Sequence, residues 1–167
     1  MGIFIIAFGG IFLGIILILL LKKTSPPPRL QPEVFFENPD DQPIYFTERH
    51  EFREKCLEFL SKFNLEYKHS VWADDDELEV ALEDETPVVG GTYLALCIFN
   101  PPDNQVESTK ITGLIDTIKG EGAARGIVIT TGSFSNEAIR ISEGEPIELV
   151  NAASFIDYLK RFDIYSS

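Results

Sequence analysis

Very little in this chain of 167 residues belongs to the familiar catalytic toolkits. Its two cysteines, Cys56 and Cys97, are too few for a disulfide framework, and no CxxC or Cys/His cluster surrounds them, so a structural zinc site is excluded. The two histidines, His50 and His69, come with no serine elbow and no cysteine motif, which leaves no hydrolase triad to assemble. There is no P-loop, no GxGxxG and no EF-hand order. Acidic residues are absent from the first 32 positions. Residues 33–167 then hold 11 basic and 27 acidic side chains, a net charge of −16. Gripping nucleic-acid phosphates unaided requires the opposite sign, so nucleic acid is disfavoured as a partner.

A long hydrophobic run is present. Ile3 to Leu21 carries no charge and no strongly polar group. As a helix its 19 residues would span about 28 Å, the thickness of one hydrocarbon core. A cleaved signal peptide fits less well, because no Lys or Arg precedes the run and no A-x-A-like site follows it. Residues 1–23 are therefore expected to form an uncleaved single-pass anchor. Lys22, Lys23 and Arg29 follow at once, which places the C-terminal side in the cytoplasm. Gly10 and Gly14 form one GxxxG pair that could bring two anchors together as a homodimer. Residues 24–46 read as a linker and lead-in, stiffened by Pro26 to Pro28.

From Thr47 to residue 164 the pattern alternates helix and strand. Thr47 reads as an N-cap for a helix carrying Phe52, Cys56, Phe59, Leu60 and Phe63 at helical spacing, with Asn64 as its left-handed end. Tyr67, His69 and Val71 alternate in a short strand. An acidic stretch, Asp74 to Glu79, overlaps a strand over Leu78–Leu82. A turn at 87–92 leads into Tyr93–Phe99, apolar on both faces as a central strand requires. Ile111, Leu114, Ile115 and Ile118 mark a second helix, ended at Gly120. Gly126–Thr131 is a β-branched strand, Ser133 or Ser135 caps a short helix, Ile147–Val150 is a strand, and Ala152–Phe162 is a final helix. The expected class is α/β, with helices on both faces of a mixed sheet.

The run from Gly122 to Ala138 joins a strand, a Thr-Thr-Gly turn and a Phe-Ser helix start, and Ile147–Asn151 follows. It resembles the C-terminal half of the Mrr-like restriction endonuclease domain, of the PD-(D/E)xK nuclease superfamily. The resemblance implies a three-layer restriction-endonuclease-like fold over residues 47–164. It also implies a bacterial inner-membrane location for the anchored chain.

The family's catalytic positions transfer one at a time. Its first helix often carries Phe-Glu; here Phe52 precedes Arg53. Its metal-binding Asp falls at Glu79. Its third-strand Glu or Gln and Lys fall at Leu96 and Ile98. In that superfamily, carboxylates hold Mg²⁺ and a lysine orients the attacking water. Aliphatic side chains offer a hard cation no ligand. The resemblance therefore implies an inactive nuclease fold used for binding or assembly, with no catalytic residue, no cofactor and an unknown protein partner or small ligand. Glu79 and Asp75 are weak metal candidates. The first alternative is a membrane-tethered, Mg-dependent DNA endonuclease whose lysine has moved to Lys68, Lys110 or Lys119. The second is a self-associating membrane scaffold. Thr130 to Ser135, before a helix start, is a further possible anion site, although any strand-to-helix turn needs the same residues.

Overall fold

The computed structural model describes residues 42–101 and 104–165. The expected anchor and most of the linker lie outside the described residues. Among the described residues, no helix is long and apolar enough to cross a membrane.

A short 3₁₀ turn, Ile44–Phe46, leads into α1 (Arg49–Ser61). The hairpin β1 (Glu66–Asp74) and β2 (Glu77–Asp84) is followed by β3 (Gly91–Ile98) and the two-residue β4 (Gln105–Val106). Next come α2 (Ser108–Glu121), β5 (Arg125–Thr130), β6 (Ser133–Phe134), α3 (Asn136–Ser142), β7 (Ile147–Val150) and α4 (Ala152–Arg161). The main sheet runs β1-β2-β3-β5-β7. Its first three strands are antiparallel and its last three parallel, giving the mixed sheet expected from the pattern. β3 is central, as its two apolar faces require.

Each face of the sheet buries its own core. On one face, Leu78, Val80, Ala95, Cys97, Ile127 and Ile129 pack with α1 and α4 through Phe52, Phe59, Phe155 and Leu159. Phe155 sits edge-on to Tyr45, Phe52 and Phe59, with ring centroids 5.4–6.3 Å apart, a geometry favoured by the ring quadrupole. Tyr45 and Phe46, from the end of the lead-in, are buried in this core. On the other face, Leu96, Ile98 and Val128 pack beneath α2 and α3 with Ile111, Ile115 and Ala138.

Several local expectations are corrected. Thr47 does not cap α1: its hydroxyl donates to Ile44 O at 3.0 Å, closing the 3₁₀ turn, and Glu48 takes the cap position. Phe63 is not inward. It lies past the end of α1, 42% exposed, with its ring against Phe59 and Phe162. β1 is nine residues long rather than five and is exposed along nearly all its length. Its pairing with β2 shifts register twice, between Tyr67 and His69 and between Trp72 and Asp74. α2 runs through Gly120 and stops at Gly122, whose φ of 68° supplies the left-handed end. Asn64 adopts φ 57°, as expected. Ser135, and not Ser133, caps α3, accepting from Ala138 N at 3.1 Å. Asn151 caps α4, accepting from Ser154 N at 2.9 Å. The β4–β6 pairing has no counterpart in the sequence pattern.

Candidate functional site

β2 alternates. Leu78, Val80 and Leu82 point into the α1/α4 core, which turns Glu77 and Glu79 to the α2 face. The register sets Glu77 opposite Ile98 and Glu79 opposite both Leu96 on β3 and Val71 on β1. Glu79, Leu96 and Ile98, which the family resemblance singles out, are thus neighbours on one face. Leu96 and Ile98 are 5% and 6% exposed, packed with Ile111 and Ile115 of α2.

α2 covers β3 and β5 but leaves β2 open. The result is a groove of about 410 Å³ between the strands and the helix, lined by Glu77, Glu79, Leu94, Leu96, Lys110 and Leu114 among others. Lys110, in the first turn of α2, forms an ion pair across the groove with Glu77. This contact joins two elements about thirty residues apart in the chain, and no sequence spacing announces it. Lys110 is one of the three lysines named above as possible relocations. The other two are committed elsewhere: Lys68 pairs with Glu66 at 3.0 Å and Lys119 with Glu145 at 2.8 Å.

The remaining positions lie apart. Arg53 sits on α1 with its guanidinium 5.9 Å from the Trp72 ring, and its Nε is buried without a hydrogen-bond partner among the described residues. Asp75 occupies the tip of the β1–β2 hairpin, its backbone N–H bonded to Asp74 Oδ1 at 2.7 Å. Next to it, Asp76 pairs with Arg49 at 2.7 Å. His50 and His69 are exposed. Cys56 and Cys97 are buried free thiols. Burial first, and the Cys97 side chain second, push the Cys56 thiol well above its ordinary range, which keeps it protonated.

A superfamily metal would need hard oxygens on adjacent strands. On its strands the groove offers only Glu79 and a Glu77 already engaged by Lys110, between aliphatic neighbours, and its third carboxylate, Glu121, stands at the far end of α2. Among the described residues, no three or more His, Cys, Asp or Glu side chains are grouped to hold a metal ion. This donor set does not fit Mg²⁺, and no chemical step is derived through one.

The Thr130–Ser135 turn spends its polar groups internally. Thr131 Oγ1 donates to Asn100 O and accepts from Asn100 N, at 2.5 and 2.7 Å, and Thr130 Oγ1 accepts from Gly132 N at 3.1 Å. A larger cavity, about 620 Å³, opens at the other end of the sheet beside Phe59, Tyr93 and Arg125. None of Arg53, Asp75, Glu79, Leu96 and Ile98 lines it.

No curated protein matches the chain. Among solved structures, the DNA modification-dependent restriction endonuclease AspBHI is similar in fold, with a TM-score of 0.57 and 17% identity over 84% of this chain and 40% of that one. The MspJI restriction endonuclease, solved with a 27-mer oligonucleotide, gives a TM-score of 0.50 and 16% identity over 80% of this chain and 36% of that one. The chain thus spans well under half the length of either neighbour. The Mrr-type catalytic-domain model described as Restriction endonuclease matches residues 47–159, more than half of the chain, and the chain belongs to that family.

Proposed function

We propose that this chain is a single-pass membrane protein whose cytoplasmic Mrr-like domain has lost its nuclease centre and serves in binding or assembly. The burial of Leu96 and Ile98 under α2 carries the reading. A wet, polar cleft is what the family's third-strand acid and lysine would need, and here those positions belong to a hydrophobic core. Burying each side chain contributes about 1.5–3 kcal/mol, so folding favours the filled arrangement. The apolar Ile3–Leu21 run supports the anchor, and Lys22, Lys23 and Arg29 support its orientation. The test is incubation of the purified full-length chain, in detergent, with plasmid and Mg²⁺ or Mn²⁺. No cleavage is expected. Reproducible cleavage that disappears in Glu79→Ala overturns the proposal.

One observation favours a second reading, a membrane-tethered Mg-dependent DNA endonuclease with a relocated lysine. Lys110 does reach the β2 face and meets Glu77, two residues from Glu79. On that reading Lys110→Met abolishes cleavage. On the first reading there is no cleavage to lose.

A further inference from the structure

We infer that the groove between β1–β3 and α2 binds an extended basic segment of a partner protein, with cationic side chains at positions i and i+4 and an apolar one at i+2. The inference rests on the groove's being a binding site rather than a nuclease centre.

Length comes first. One end of the groove is fixed by the Lys110–Glu77 pair, beside Ile98. The other end is fixed near Thr92, because Ala124 N donates to Thr92 O at 2.7 Å just after α2 ends at Glu121. From Lys110 to Glu121 the helix wall extends about 16 Å, the reach of about five extended residues. A ligand of that length gathers contacts along the whole trough, whereas a compact one would leave most of it empty.

Charge comes second. Glu77 is neutralised by Lys110. Glu79 and Glu121 also line the groove, and neither has an ion pair or a side-chain hydrogen bond among the described residues. The groove is therefore left with a net charge of about −2, on a domain that is itself strongly acidic. Glu79 lies level with Leu96, and Glu121 lies near Thr92, four residues back along β3. Four strand residues span about 13 Å, the distance between same-face side chains at i and i+4.

Shape comes third. Gly113 belongs to the groove-lining stripe of α2, and a Cβ added there would meet nothing within 4 Å. The bare helix wall keeps the groove open at that point, and Leu94, between Thr92 and Leu96 on the same face of β3, gives its floor an apolar spot between the levels of the two carboxylates. An apolar side chain at i+2 points to the same face as i and i+4 and packs on Leu94.

The test is calorimetric titration of the full-length chain, at low ionic strength, with acetylated and amidated peptides Lys-Ser-Leu-Ser-Lys, Lys-Leu-Ser-Ser-Lys and Glu-Ser-Leu-Ser-Glu. The first should bind best and the acidic peptide should not bind. Glu79→Gln and Glu121→Gln should each weaken the first peptide about threefold, within the range of exposed ion pairs. Glu54→Gln on α1, away from the groove, should leave binding unchanged. Gly113→Leu should abolish binding without unfolding α2, since leucine favours helix over glycine. Equal binding of all three peptides overturns the inference, as does indifference to Gly113→Leu, equal weakening by Glu54→Gln, or equal affinity for hexylammonium. Plasmid cleavage by the same preparation would overturn the proposed function instead. Failed peptide binding without cleavage would overturn only this inference.

Discussion

Replacing Ile98 with lysine would place an ammonium where the family resemblance puts the third-strand lysine, and the structure sets the cost. Ile98 is 6% exposed among Val106, Ile111 and Ile115. Losing its burial costs about 1.5–3 kcal/mol. The incoming ammonium would lie beneath α2, and its cross-strand neighbour Glu77 is already engaged by Lys110. A buried charge left without a partner adds at least about 1–3 kcal/mol. The expected loss is therefore about 2.5–6 kcal/mol, a large part of the 5–15 kcal/mol that holds a typical domain folded. Ile98→Val, which removes one methylene from the same place, should cost about 0.5–1.5 kcal/mol. Val89→Lys, at a position 74% exposed, should change stability by less than about 0.5 kcal/mol. Guanidinium unfolding of the three variants, followed by Trp72 fluorescence and circular dichroism, gives the comparison. If Ile98→Lys proved as stable as Val89→Lys, the position would be an open cleft, and the argument from packing would be refuted.

Two further outcomes follow from the same geometry. A Cβ on Gly132 would stand 2.5 Å from Asn104 O, so Gly132→Ala should destabilise by about 1–3 kcal/mol and loosen the β4–β6 pairing, measured by amide exchange at Ser133 and Phe134. Because Cys56 has its thiol pKa raised in the folded state, the folded chain holds a proton that the unfolded chain releases near the ordinary value of 9.0. The stability from Cys56 should be complete below pH 9 and decline above it. Tyr45, whose hydroxyl is also shifted upward by burial, adds a decline of the same sign beginning near 10.0. Cys56→Ala should lower stability overall but flatten the fall between pH 9 and 10. An unchanged slope in guanidinium midpoints over that interval would count against the burial argument.

What the sequence made legible follows from how strongly each segment is buried. β3 and β5 read as central because apolar residues occupy both their faces, and α4 reads as amphipathic because Phe155, Ile156 and Leu159 share one stripe. Leu96 and Ile98 could be placed in a core from their side chains alone. β1 reads short because it is a sheet edge exposed on both sides, where no hydrophobic alternation need extend to its ends. Thr47 reads as a cap from sequence because a threonine hydroxyl can close a preceding turn as readily as cap a following helix. Gly120 and Gly122 compete for the same helix end, and only backbone geometry decides for Gly122. The Lys110–Glu77 pair was invisible because it depends on how α2 lies across the sheet, which no local spacing encodes.

The two interruptions along β1 have a bearing on how closely these molecules can be crowded. Between them lie His69 to Trp72, four residues in unbroken ladder. An intruding strand would find regular pairing for little more than that before the backbone twisted away, which is short of the five or six residues of an ordinary strand. Lys68 and Asp74, at the margins, add charge to the same rim. At this border, neighbouring copies held at high local density cannot zip their sheets into a continuous ribbon.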